Sequence, residues 1–392
     1  MNYLKLKQKI YEAIERNPLD RSAYEEMFAV CREYEKIDFQ TAHAWNHELR
    51  NRISWGLRMT VCSQKFDEAR EFDDLMFRSL LFGAQHFFDD YLQAVEYGKP
   101  LDKKFYQPRR HYLRRYVDAY QEILDGKLDF LSISMPKRAG KSQLGINFTN
   151  MLSGKYPDRA TLMEGTGDDL VKSFYLGCLE YLTLPSDYHF YDIFPESKLV
   201  QTNADTKIIN LLHKSRFPTV MCRSIDARQV GLSEATNLLY LDDCVEGREE
   251  AKNRQRLDDK WEVISGDIIG RAIEGTPIVI CGTRYSLYDP IGHLQEEMGF
   301  LQDGSEVAFI QYNKLHINAV EAMDRLSVGA AADGGYFDFI STEYGMGVKW
   351  RAVEKTDNAS IVSVMKIPRR ASRYVPVVDE DNIFQMEGVN EE

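Results

Sequence analysis

Phe130-Leu131-Ser132-Ile133-Ser134-Met135-Pro136-Lys137-Arg138-Ala139-Gly140-Lys141-Ser142 is an apolar run that breaks into a small, basic loop ending in Gly-Lys-Ser. The following Gln143-Leu144-Gly145-Ile146-Asn147-Phe148 can continue as a helix. Strand, tight loop and helix in that order predict a phosphate-binding loop. Its backbone N–H groups and helix N-terminus would surround a phosphate, Lys141 would reach the β/γ oxygens, and the Ser142 hydroxyl would hold Mg²⁺. One position departs from the usual pattern: Met135 stands where the first glycine is expected. A plain strand-to-helix turn with an exposed lysine is the competing reading.

A second acidic segment lies downstream. Asn237-Leu238-Leu239-Tyr240-Leu241-Asp242-Asp243-Cys244 reads as a strand buried on both faces with two carboxylates at its C-terminal end. Open α/β sheets bind their ligands at that end. This is a Walker B arrangement, with Asp242 in the Mg²⁺ shell and Asp243 orienting and deprotonating the attacking water; Glu246 is a rival for the base. Pro277-Ile278-Val279-Ile280-Cys281 reads as a third strand, ending in Gly282-Thr283-Arg284-Tyr285. Thr283 and Arg284 are candidates to sense the γ-phosphate. Leu257, Trp261, Ile264 and Ile268 recur at helical spacing and read as core. The expected fold is α/β, a P-loop NTPase of the ASCE (RecA-like) kind. Its central sheet should be mainly parallel and flanked by helices, with a helical unit ahead of it.

Pro136 to Ser142, Leu238 to Asp243 and Ile280 to Tyr285 together resemble the large terminase subunit of tailed bacteriophages. Tyr106-Gln107-Pro108-Arg109-Arg110 and Asp289-Pro290-Ile291-Gly292-His293-Leu294 extend the resemblance, which spans Tyr106 to Leu294. In that family the phosphate loop often lacks its first glycine and carries an arginine shortly before the retained one, the place of Arg138. The resemblance implies ATP hydrolysis driving double-stranded DNA through a portal into a capsid, with ATP and Mg²⁺ as ligands. Lys137, Gly140, Lys141 and Ser142 would bind the nucleotide, Ser142 and Asp242 the metal. Asp243 would be the catalytic carboxylate, Arg138 the arginine that stabilises transition-state charge, and Gly282-Thr283 the coupling motif. Tyr106 and Gln107 would meet adenine, although a packed aromatic and a solvated amide fit those positions equally. Arg228 is one candidate among several arginines for a finger acting on a neighbouring subunit. The implied partners are DNA held transiently without sequence preference, the portal protein, the small terminase subunit and further copies in a ring, all in the host cytoplasm. A helicase-like P-loop ATPase, a nucleotide-binding module without turnover and a small-molecule kinase are alternatives. Intact Lys141, Ser142, Asp242 and Asp243 argue against loss of turnover. A second RecA-like lobe and a kinase lid are not recognisable.

The chain's 392 residues and 44% hydrophobic content accommodate one P-loop domain and smaller units. No apolar run approaches the roughly 20 residues of a membrane span, and no signal-peptide core opens the chain. Six cysteines without Cys-x-x-Cys spacing favour a reducing compartment over structural zinc. His43 and His47 sit one helical turn apart, with no acidic or cysteine partner nearby in sequence. A net charge of −12 is compatible with transient backbone contact rather than stable DNA binding. Arg109, Arg110, Arg114 and Arg115 form a basic cluster on a helix whose apolar face is Leu113, Tyr116, Val117 and Tyr120, and read as structural or phosphate-proximal.

The expected divisions are a helical region over 1–104, an ATPase core over 105–300, an extension or linker over 301–378 and an acidic, disordered tail over 379–392. Within the first, Ser22 and Glu25 suggest a capping box ahead of Tyr24, Met27, Phe28 and Cys31. The segment after Leu294 is short for the ribonuclease-H-like nuclease that most family members carry. Asp333, Asp338, Asp357, Asp379 and Asp381 match no nuclease pattern, so the nuclease is expected to be absent, with a reduced form as the alternative.

Overall fold

The computed structural model describes residues 2–135, 137–227, 233–286, 288–297, 308–313, 359–368, 376–378 and 384–386. The chain divides into two compact units, Met1–Gly98 and Lys99–Glu392.

The first unit is helical: α1 (Tyr3–Arg16), α2 (Arg21–Glu35), α3 (Phe39–Cys62), α4 (Phe66–Ala84) and α5 (Phe88–Val95). Tyr24, Met27, Phe28 and Cys31 face its core beside Trp45, Leu49 and Phe72, as their spacing suggests. The cap of α2 differs from the expected box. Asp20 is the N-cap, accepting from the Ser22 N–H at 3.1 Å, while Glu25 pairs with Arg21 at 2.9 Å. An ionised carboxylate facing the helix N-terminus outcompetes a hydroxyl for the orphan N–H groups. Asp38 caps α3 in the same way, accepting from Thr41 N–H at 3.0 Å.

The second unit contains α6 (Arg110–Leu124), β1 (Leu128–Ser134), α7 (Lys141–Lys155), β2 (Thr161–Gly165), α8 (Asp168–Thr183), α9 (Phe190–Ile193), β3 (Leu199–Asn203), β4 (Ile208–Leu211) and β5 (Val220–Ser224). After these come β6 (Leu238–Asp242), α10 (Arg248–Ala251), α11 (Arg254–Glu262), β7 (Ile278–Gly282), α12 (Pro290–Glu297), β8 (Ala308–Asn313) and β9 (Ala359–Pro368). One sheet forms in the order β3-β4-β5-β2-β6-β7-β1-β9-β8. From β5 to β1 every pairing is parallel; β4 and β3 continue it antiparallel beyond β5, and β9 and β8 beyond β1. The architecture is therefore a mostly parallel central sheet with helices packed on it, and β6 is buried throughout as its unbroken apolar run requires.

Two packing details set the position of the site. In α7, a Cβ added at Gly145 would stand 2.2 Å from the Tyr240 hydroxyl of β6. Only glycine lets that helix lie so close to the acid-bearing strand. Trp261, Ile264 and Ile268 are buried in one cluster with Leu239, Leu241 and Ile280, and Leu257 is buried too, although α11 passes into a π-helical turn at Val263–Ile268. That stripe is core, as expected. Leu113, Tyr116, Val117 and Tyr120 of α6 are likewise buried, while Arg114 pairs with Asp118 at 2.8 Å on the exposed face.

Candidate active site at the sheet edge

The registers Ser134↔Gly282, Asp242↔Cys281 and Gly165↔Asp242 bring the C-terminal ends of β1, β7, β6 and β2 to one edge of the sheet. Loops that are distant in sequence therefore meet there.

The loop after β1 is pinned at its base. The Met135 N–H donates to the Gly282 carbonyl at 3.1 Å, and the Thr283 hydroxyl donates to the Met135 carbonyl at 3.2 Å. Arg138 takes a positive φ of 65°, unusual for a residue with a side chain, and Gly140 a φ of 102°. A Cβ at Gly140 would stand 2.8 Å from the Phe105 ring, so glycine is required there by conformation and by space. The helix then begins at Lys141, which projects toward the acids of β6.

Lys141 Nζ lies 2.6 Å from Asp243 Oδ2, with the amine almost wholly buried. Burial works against the charge on Lys141, but Asp243 and Asp242 outweigh it and hold the amine above its ordinary pKa. Asp243 itself is fixed on several sides. Its positive φ of 43° follows a backbone N–H donated to Cys281 O at 2.8 Å. Its carbonyl accepts from the Thr166 hydroxyl at 2.6 Å, and its Oδ1 accepts from the Thr283 N–H at 3.0 Å.

A scan of protein-family models and a search of curated proteins each return no match to this chain.

Asp242 is fully buried, and neither carboxylate oxygen has a hydrogen-bond partner. Burial, then the neighbouring Asp243 charge, push its pKa up to about 7; Lys141 and the nearby Ser142 hydroxyl pull the other way. A buried carboxylate with two unsatisfied oxygens, flanked by a serine hydroxyl, is the donor set a hard divalent cation prefers. Mg²⁺ therefore fits Asp242 and Ser142.

The raised value has a measurable consequence. Between the ordinary carboxylate pKa of 3.8 and about 7 the folded protein keeps a proton at Asp242 that the unfolded chain has lost. Stability is thus highest below that window, falls as pH rises through it, and is level above it. Metal-free protein is expected to lose thermal stability between pH 5 and pH 8, and Asp242→Asn to flatten that profile. Equal slopes for the two proteins in a melting series would contradict this account of Asp242.

The remaining candidates are placed as follows. Lys137 and Arg138 are exposed, with the Lys137 amine 5.3 Å from the centre of the Tyr285 ring. Gln107 is exposed, but Tyr106 is fully buried, so its ring offers no open face for a base to stack on. That position follows the packed-aromatic alternative. Arg284 is buried, its Nε pairs with Asp289 at 2.7 Å, and Asp289 caps α12 by accepting from Gly292 N–H at 3.0 Å. Glu246 is exposed and its N–H donates to Glu250 at 2.6 Å, while Glu250 also pairs with buried Lys260 at 2.5 Å. Arg228 and the aspartates at 333, 338, 357, 379 and 381 lie outside the described residues. Thr166 was not anticipated. Its signal was the small-residue run Gly165-Thr166-Gly167 at the end of another apolar strand, Thr161–Gly165. No helix among the described residues is long and apolar enough to cross a membrane.

Proposed function

We propose that the chain is an ATP-hydrolysing motor of the viral terminase type, translocating double-stranded DNA into a procapsid. The observation that carries the nucleotide chemistry is the 2.6 Å approach of Lys141 to Asp243, with unpartnered Asp242 beside them. An amine from a strand–loop–helix turn and two acids about a hundred residues away in sequence have no structural need to share one buried point. A triphosphate bound with a divalent cation supplies that need. The sheet order also supports an ASCE-type P-loop NTPase, because β7 is interposed between the loop-bearing β1 and the acid-bearing β6.

In this reading Lys141 neutralises Asp243 before nucleotide arrives and turns to the β/γ phosphates when ATP binds. Asp243 Oδ2 is then released to accept a proton from the attacking water, while Thr283 N–H holds Oδ1 and so the orientation of the carboxylate. Ser142 and Asp242 would hold Mg²⁺, which would supply charge neutralisation at the phosphates. Arg138, exposed on the loop, is free to approach the γ-phosphate, with Gly140 and Lys137 completing the nucleotide-binding surface. Thr283 touches both Asp243 and the base of the loop, and its neighbour Arg284 is tied to α12 through Asp289. A change at the γ-phosphate therefore has a short covalent and hydrogen-bonded route to α12. The terminase assignment itself rests on the ordered motif resemblance. It brings the portal protein, the small terminase subunit, a homo-oligomeric ring and a cytoplasmic setting as parts of the same proposal.

The deciding experiment measures Mg²⁺-dependent ATP turnover over a range of chain concentrations, with and without linear double-stranded DNA. Turnover that requires Mg²⁺ and rises with DNA or with self-association is expected. Absence of both turnover and ATP-analogue binding would overturn the proposal. Strand separation of a duplex by the same protein would favour the helicase-like alternative.

A further inference from the structure

Outside the sheet, the first unit brings together two imidazoles and a carboxylate from three separate segments. Glu35 closes α2, His43 lies in α3, and His86 occupies the turn between α4 and α5. Glu35 Oε1 stands 2.8 Å from His43 Nε2, and one donor atom from each of the three residues lies within 4.8 Å of the others. His43 is buried and the other two are half-buried. Their rings are held by an aromatic box: His43 stacks on Phe82 at 4.5 Å and meets Phe39 at 4.3 Å, and His86 meets Phe39 edge-on at 4.9 Å.

We propose that Glu35, His43 and His86 form a binding site for a zinc-class divalent transition ion, with the fourth position taken by water. Two imidazole nitrogens and one carboxylate oxygen are donors of borderline softness and suit Zn²⁺, whereas Mg²⁺ and Ca²⁺ take oxygen donors. Ligands on a tetrahedral zinc lie about 3.3 Å apart, so the observed spread closes by side-chain torsions without moving a helix. Burial holds the His43 pKa below its ordinary value against the pull of Glu35 and Asp90 and with the help of Arg50, so the ring is neutral and able to ligate near neutral pH. A bound ion would tie the end of α2, the body of α3 and the α4–α5 turn into one cross-linked unit. This site is independent of the nucleotide reading and shares no residue with it.

The test uses the full chain, stripped with a chelator and titrated with Zn²⁺ against a chromogenic competitor, with Co²⁺ as a spectroscopic probe. One ion per chain is expected, with tetrahedral cobalt bands in the visible and no thiolate charge-transfer band in the near ultraviolet. That last feature separates the site from the free cysteines. Zinc at ~100 times its Kd should raise the melting temperature by several degrees. Glu35→Gln and His86→Asn, both at half-buried positions, should each weaken binding at least ~10-fold and remove that zinc-dependent rise, read against each variant's own metal-free melt. Asp242→Asn should bind zinc as the parent does. No uptake, or uptake insensitive to both Glu35→Gln and His86→Asn, would overturn the site.

Discussion

Lys141→Ala is expected to lower Mg²⁺-dependent ATP turnover roughly 10³-fold, the loss seen when one preorganised charge stabiliser is removed from a transition state. Two features of the site set the size of the effect. The amine is almost fully buried at the start of α7, so it acts in a medium where its field is little screened by water. It is also the only cation whose ion pair with the acids at the end of β6 is seen among the described residues. Removing it leaves Asp243 without that partner and Asp242 without the charge that pulls its pKa down, so Asp242 stays protonated to higher pH. The variant should consequently fold, with a lowered melting temperature at pH 8 and a smaller deficit at pH 5. Initial rates and melts on the same preparations separate the two effects. Parental turnover in a folded Lys141→Ala protein would remove Lys141 from the phosphate-binding role.

How far the sequence alone could be read depended on whether a feature was local. The apolar run Leu238 to Leu241 ending in two aspartates reads as a strand buried on both faces, and β6 is one. The helical spacing from Leu257 to Ile268 required one face in the core, although the π-turn that adjusts its pitch left no mark in the residue pattern. Pairings across the fold were hidden for the opposite reason. No local pattern singled out Asp289 as the partner of the Arg284 Nε; the turn into α12 brings the two together. Tyr106 sits in a motif that suggests a ligand contact, yet an aromatic beside an Arg-rich helix satisfies the hydrophobic demand of the interior equally well, and burial won. His43 looked partnerless because Glu35 and His86 reach it from the end of α2 and from the α4–α5 turn. Asp20 displaced Ser22 as a cap because charge near a helix N-terminus outweighs a matching motif.

Asp243→Asn separates binding from chemistry. The amide keeps an oxygen for the Thr283 N–H and nearly the same shape, so the loop base formed by Thr283 and Met135 should persist. What it loses is the ability to accept a proton and the charge that holds Lys141. In the proposed mechanism the first loss removes general-base catalysis, and turnover should fall by ~10²–10⁴-fold. The second loss acts in the opposite direction on affinity. Without nucleotide, Lys141 must leave a 2.6 Å ion pair to reach a phosphate, and in the variant that competition is gone. Analogue binding should therefore be unchanged or tighter while kcat collapses, a combination a merely misfolded protein cannot give. Asp242→Asn should behave differently, weakening Mg²⁺-dependent binding because the altered carboxylate is the one with two unpartnered buried oxygens. Glu246→Gln serves as the counter-test. Its carboxylate is on an exposed part of the loop whose N–H is already held by Glu250. If Glu246→Gln abolished turnover and Asp243→Asn spared it, the base would be Glu246, and the contact between Asp243 and Lys141 would be structural.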